Sequence, residues 1–224
     1  MEKELKDGEL YESRFQYKEQ KASFRFWLIM VCIVFALFAL RIYWRQTFGG
    51  VVVDGESMMM TLKSGEKLLM KKVDGVKGVK RGDIIVVDVS DYPEFSDFDK
   101  ENGEYLIKRM IAFEHETVKS SNGVISVKKD GETEWKILDE PYAYYANKDA
   151  YPDFEYHVGE GEIFFLGDNR NNSCDSRYYD KTIGFGVQGG SRIKGLYKEE
   201  DLFGVVPSWA VEHKDVLENI FFNI

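Results

Sequence analysis

The sequence predicts a mostly β chain: an antiparallel curled-sheet or partial-barrel domain carried behind one N-terminal transmembrane helix. Two observations lead to that class. Short runs rich in β-branched and aromatic residues recur at close spacing, each bounded by Gly, Asp, Asn or Ser, and few segments keep a helical period for three turns. Near the start, by contrast, "FWLIMVCIVFALFAL", Phe26 to Leu40, is an unbroken apolar run of 15 residues.

The apolar run comes first in the chain. At about 1.5 Å per helical residue it reaches only ~22 Å, short of the ~30 Å hydrocarbon core of a bilayer. Extended to Phe24–Trp44 it holds 21 residues and reaches ~31 Å, enough to span. Arg25 and Arg41 then lie near the ends, where long side chains snorkel to the interface, and Trp27, Tyr43 and Trp44 favour the headgroup level. Two other readings stand beside a retained anchor. A cleavable signal peptide is one, but no A-x-A-like site follows the run and its basic flank is long. A buried core helix is the other, and its all-round apolar surface would need a larger domain around it. Orientation follows from Lys and Arg near the span. Lys3, Lys6, Arg14, Lys18, Lys21 and Arg25 lie in or before its first turn, whereas residues 41–60 hold only Arg41 and Arg45. The expected organisation is a cytoplasmic segment 1–23, an anchor helix 24–44 and an exported β domain 45–224.

The chain is 224 residues long and 44% hydrophobic, so one substantial domain with a real core fits. Residues 1–25 carry six basic and six acidic side chains, so the net charge of −9 belongs to the remainder. That balance argues against nucleic acid as a partner. Cys32 and Cys174 make no disulfide framework, and His115, His157 and His213 lack metal-ligand spacing, so no metal or cofactor is expected.

The strand candidates follow in order: "GGVVVDG", "EKLLMKKV", "GDIIVVDV", "EYLIKRMIAF", "ETVKSS", "GVISVKKDGE" and "GEIFFLGD". Two irregular stretches separate them, the acidic residues 90–104 and the aromatic-rich residues 139–157. Each reads as a surface loop with some rings tucked onto the sheet, or as a loop that guides substrate or touches the membrane. "VLENIFFNI" at the C-terminus reads as a short amphipathic helix packed on the domain.

Two residues invite a chemical reading. Ser57, in "VDGESMMMTLKSGEKLLMKK", has no histidine within fifty residues on either side, and a serine needs a base to become a nucleophile. In "EYLIKRMIAF", strand alternation sets Tyr105, Ile107, Arg109, Ile111 and Phe113 on one face and Leu106, Lys108, Met110 and Ala112 on the other. Lys108 is then the one polar group on an apolar face. Either its stem lies over the sheet with the amine in water, or the amine is buried. Burial lowers a lysine pKa by up to about 3–5 units, and ~3 units suffice to make it a base near neutral pH.

These pieces resemble the type I signal peptidases, membrane-bound Ser/Lys proteases that remove signal peptides from exported preproteins. The likeness runs from about residue 22 to 206. "GESMMMTLKSGEKLLMKK" is similar to the family's nucleophile box, usually S-M-x-P-T-L; "VKRGDIIVV" and "YLIKRMIAF" resemble the next two. "LDEPY" and "VGEGEIFFLGDNRNNSCDSR" resemble the closing segment, in which "GDNRNNSCDSR", Gly167 to Arg177, is intact. The resemblance implies Ser57 as nucleophile, Lys108 as general base, Ser173 orienting the amine, and an Asp175–Arg177 ion pair in support. It also implies a mostly β core resting on the membrane surface, no metal, signal peptides of preproteins and the lipid bilayer as partners, and cleavage after small residues in an A-x-A pattern. The Ser57 backbone N–H would meet the oxyanion, aided in some members by a hydroxyl two residues earlier; here that position is Gly55. Met58 and Met59 line the small-residue pockets, touch lipid or fill the core. Cys174 is a reactive thiol or a small filler, the latter favoured.

The chain departs from the family pattern in three places. Met60 stands where the box has proline. Glu114, His115 and Glu116 replace a Pro-Gly-Asp turn, which could shift the far side of the domain. The tail after Arg177 is longer and richer in glycine than usual. Two rivals remain: a non-catalytic relative that helps assemble surface proteins or pili, and a cytosolic self-cleaving Ser/Lys regulator, which the anchor and the lack of a DNA-binding head disfavour.

Overall fold

The computed structural model describes residues 2–90, 105–177 and 197–221, with residues 2–20 and 22 described by backbone alone. The chain divides into two units, Met1–Gln46 and Thr47–Ile224. The first is a single helix, α1 (Glu2–Thr47), whose Ser23–Thr47 part is long and apolar enough to cross a membrane. None of that apolar stretch is buried, unlike the core helix of a globular domain.

The second unit is mostly β and antiparallel, and its strand candidates form in the expected order. They are β1 (Phe48–Val52), β2 (Lys67–Lys72), β3 (Ile84–Asp88), β4 (Tyr105–Ala112), β5 (Glu116–Ser121), β6 (Val124–Lys129), β7 (Lys136–Ile137), β8 (Phe154–Val158), β9 (Glu162–Leu166), β10 (Tyr197–Lys198) and β11 (Leu202–Val206). A curled seven-stranded sheet runs β1-β2-β11-β3-β4-β9-β10, and a four-stranded sheet runs β7-β6-β5-β8. Two short helices, α2 (Ser208–Glu212) and α3 (Lys214–Phe221), close the described chain. Leu217 of α3 packs toward Leu68, Met70 and their neighbours, and Lys214 Nζ bonds Glu66 Oε1 at 2.6 Å. The described part of the expected C-terminal helix, 216–221, is thus helical and packs through Leu217; residues 222–224 lie outside the described residues.

Strand alternation sorts the large sheet into two faces, both covered. Ile85 and Val87 of β3, Leu106 and Met110 of β4, and Ile163 and Phe165 of β9 enter one cluster. On the opposite face Ile84 and Val86 join Met58, Leu62, Leu68 and Val206. Phe164 and Leu166 join Val118, Ile125, Val127 and Val158 of the small sheet. Burial on both sides explains why β3 and β9 read as continuous apolar runs rather than alternating ones.

Three expectations need correction. The stretch 139–157 is not a loop throughout: its end, with the next residue, forms β8, paired to β5 from Glu116↔Val158 to Ser120↔Phe154. Acidic and polar residues between the aromatic ones hid that strand. Strict alternation in β4 holds through Ile111 and then fails, because a register shift between Met110 and Ala112 sends Ala112 into the same cluster as Ile111. And "DLFGVV", not proposed as a strand, is β11, a central strand between β2 and β3. The acidic stretch, apart from Ser90, and most of the glycine-rich tail lie outside the described residues.

The Glu114-His115-Glu116 replacement keeps a tight turn between β4 and β5. His115 takes the left-handed backbone (φ 61) that a glycine adopts without strain. Glu116 accepts the Phe113 N–H at 3.0 Å and a two-pronged bond from Arg81 at 2.7 and 2.9 Å. Left-handed backbone costs a side-chain-bearing residue about 1–2 kcal/mol, most for β-branched ones. His115→Val should therefore lower unfolding free energy by about that much in a denaturant titration, while His115→Gly should cost nothing or stabilise.

Candidate active site

The nucleophile candidate sits in a turn and its partner on a strand. Ser57 precedes a one-turn segment in which Leu62 N–H bonds Met58 C=O at 2.8 Å, and Met58 and Leu62 bury their side chains in the core. That anchors the turn from below and makes Met58 a core filler, whereas Met60, at the proline position, is exposed. Lys108 projects from β4 between Leu106 and Met110 and is only 3% exposed. Its Nζ lies 2.8 Å from Ser57 Oγ and 3.0 Å from the Ile107 carbonyl.

Burial pushes the Lys108 amine below its ordinary value of 10.5, while Asp175, then Cys174 and Asp168, pull back in part. Burial drives the Cys174 thiol itself up to about 12 despite the nearby lysine, so the pull on Lys108 from that side acts only once the thiol ionises. Cys174 is half-buried against the cluster that holds Ile85, Met110 and Phe165 among others, the filler reading.

The segment Gly167–Arg177 wraps around this pair through buried charges. Arg177 Nε and Nη2 donate to Asp175 at 2.8 and 2.7 Å, and its Nη1 donates to the Arg170 carbonyl at 2.9 Å. Asp175 also accepts the Gly167 N–H at 3.0 Å. Burial alone would raise the Asp175 carboxyl; Arg177, with help from Gly167 and Ser173, holds it below the usual carboxylate range. Ser173 does not reach the Lys108 amine with hydrogen-bond geometry among the described residues. Its hydroxyl lies over Gly167 instead, where an added Cβ would meet Ser173 Oγ at 2.1 Å and the Ser57 carbonyl at 2.6 Å. Gly167 is thus a spacer that leaves room for both Ser173 Oγ and the Ser57 carbonyl. Gly55 (φ 80) has open space where a side chain would point.

Sequence reasoning missed several groups that brace the site. Asp168 pairs with Arg109 through Nε at 3.0 Å and through a second, shorter Nη2 contact, and accepts from Thr61 Oγ1 at 2.5 Å. Arg109 lies under the Tyr142 ring, 4.0 Å from its centroid. Arg170 pairs with Glu140 at 2.9 and 2.5 Å and with Tyr145 Oη at 2.9 Å. Asn169 bonds the carbonyls of both Ser57 (2.9 Å) and Glu56 (3.2 Å). The signal was available in part: Arg109 is the charged residue on the other face of β4, and a buried guanidinium needs a carboxylate. Which carboxylate it takes is a long-range matter.

A family model described as "Signal peptidase, peptidase S26" matches residues 23–209, and the chain belongs to that family. Signal peptidase I U of Bacillus subtilis (strain 168) is 31% identical over 158 residues, covering 67% of this chain and 74% of the relative. Probable signal peptidase I-1 of a Synechocystis species is 33% identical over 153 residues, covering 68% and 71%. A crystal structure of a signal peptidase I from Enterococcus faecalis V583 aligns with 26% identity and a TM-score of 0.37, covering 57% of this chain and 96% of that one.

Removing one member of a buried ion pair strands the other, at about 3–5 kcal/mol. Asp175→Ala should therefore lower unfolding free energy by about that amount in chemical denaturation, because Arg177 is left charged in a dry site.

Proposed function

We propose that this chain is a membrane-anchored serine endopeptidase that removes signal peptides from exported preproteins, with Ser57 as nucleophile and Lys108 as general base, cutting after small residues in an A-x-A pattern. In this reading residues 1–23 are cytoplasmic, 24–44 are the anchor and 45–224 are the exported catalytic domain. One observation carries it: a buried amine 2.8 Å from a serine hydroxyl. The family relationship and the names of the relatives support the substrate class.

The chemistry follows from that contact. Neutral Lys108 takes the Ser57 hydroxyl proton as Oγ bonds to the scissile carbonyl carbon, whose π electrons move onto oxygen. The Ser57 backbone N–H, which has no acceptor among the described residues, donates to that oxyanion. The tetrahedral species collapses, the C–N bond breaks, and the Lys108 ammonium gives its proton to the leaving amine. Water then attacks the acyl-enzyme, losing its proton to Lys108; the C–Oγ bond breaks and Ser57 regains a hydrogen. Met58 lies in the core, so its contribution here is the backbone it fixes beside Ser57. The Asp175–Arg177 pair holds the closing segment beside the lysine.

Cleavage of a preprotein with an A-x-A signal peptide tests this directly. Lys108→Met keeps the apolar stem and removes the amine; its rate should fall to background, by at least about 100-fold for loss of a general base, with little change in melting temperature. Equal rates in the two proteins would sink the Ser/Lys assignment.

The protonation argument has a sign. The base works only when neutral, so the rate should rise as pH climbs through the depressed Lys108 value. Stability should move the same way, because between that value and the unfolded one the unfolded chain binds the extra proton. A pH–rate profile flat from about pH 5 to 9, a window reached by burial shifts of this kind, would contradict it.

A further inference from the structure

We infer that Asn169 is a positioning residue for the oxyanion donor: its side chain orients the peptide plane whose N–H is that of Ser57. This rests on the reading of Ser57 as nucleophile. The Glu56–Ser57 peptide has the Glu56 carbonyl at one end and the Ser57 N–H at the other, and in a planar trans peptide the two point in opposite directions. Asn169 Nδ2 donates to the Glu56 carbonyl at 3.2 Å. Fixing that oxygen fixes the direction of the Ser57 N–H, and a hydrogen bond at one end of a peptide polarises the donor at the other.

Several observations single Asn169 out. Its backbone N–H separately holds the Ser57 carbonyl at 2.9 Å, so the residue grips the peptide units on both sides of the Ser57 Cα. Its own backbone is pinned: Tyr144 N–H bonds the Asp168 carbonyl at 2.7 Å, and Arg170 N–H bonds the Tyr144 carbonyl at 2.9 Å. The Asp168 side chain ties the same strap to Thr61 and Arg109. Asn169 is buried, and its Oδ1 has no partner among the described residues. Buried amides ordinarily satisfy both ends; here the bond to Glu56 is the one the side chain makes. Finally, Gly55 offers no side-chain donor to the oxyanion, and its left-handed backbone (φ 80) disfavours one. The direction of the Ser57 N–H matters correspondingly more.

The test uses the full-length chain in detergent or vesicles, an A-x-A preprotein, and a peptide aldehyde that forms a hemiacetal on Ser57. Asn169→Ala and Asn169→Leu both delete the donor and leave the backbone bond to Ser57 in place. Expected are a fall in kcat of about 10- to 100-fold, as for a misaimed oxyanion donor, and a similar weakening of aldehyde inhibition. KM should stay within about twofold, since the oxyanion forms after binding, and the pH midpoint set by Lys108 should not move. An unchanged kcat, a loss borne by KM, or a displaced pH midpoint would each overturn the inference. If the wild type cleaves, Lys108→Met does not, and the Asn169 variants match the wild type, the inference alone falls. A wild type that cleaves nothing would overturn the proposed function, and the inference with it.

Discussion

The structure turns on keeping one lysine amine away from water. A surface lysine is protonated at neutral pH in all but about one molecule in 2,500, and a protonated amine cannot take a proton from a hydroxyl. Lys108 sits on β4 between Leu106 and Met110, on a sheet covered on both faces, and that burial pushes its amine below the ordinary lysine range. Carboxylates nearby oppose the effect, since each would favour the ammonium. The arrangement answers by occupying them. Asp175 is neutralised by Arg177 and Asp168 by Arg109, so two full negative charges near the amine become two dipoles. The guanidinium partners serve the lysine's electrostatics as much as they serve the fold.

The same pairs explain why the closing segment holds its shape without regular secondary structure. Residues 167–177 form no helix or strand, yet nearly all their charged side chains are buried and paired. Hydrogen-bonded ion pairs supply the directionality that a strand ladder would otherwise provide. The cost is fragility: each charge depends on one partner.

Much of this architecture is legible in the sequence, and the failures have physical reasons. The apolar helix and most strands follow from period and punctuation, and the family motifs bring Ser57, Lys108 and Gly167–Arg177 into one frame. β8 escaped because its polar residues, Glu155 and His157, sit on the outer face of a small sheet and look like loop. β11 escaped because Gly204 interrupts it; the gap is needed, since a Cβ there would meet the Met70 sulfur at 2.9 Å. The pairings of Arg109 with Asp168 and Arg170 with Glu140 join residues 59 and 30 positions apart, a distance at which no local pattern speaks. The Glu114-His115-Glu116 departure looked disruptive on composition, but His115 takes up the backbone geometry that a glycine would have supplied.

Adjacent positions on β4 carry groups in opposite settings: Lys108 is buried beside Ser57, and Arg109 is clasped by Asp168. Since neighbours on a strand point to opposite faces, a slip of β4 against β3 by a single step would exchange them, seating a guanidinium beside Ser57. Such a molecule would still be apolar inside and, on the proposed reading, would have lost its base. The irregularity between Met110 and Ala112 lies just past this doublet, on the side where an extra or missing residue can be absorbed without reaching it.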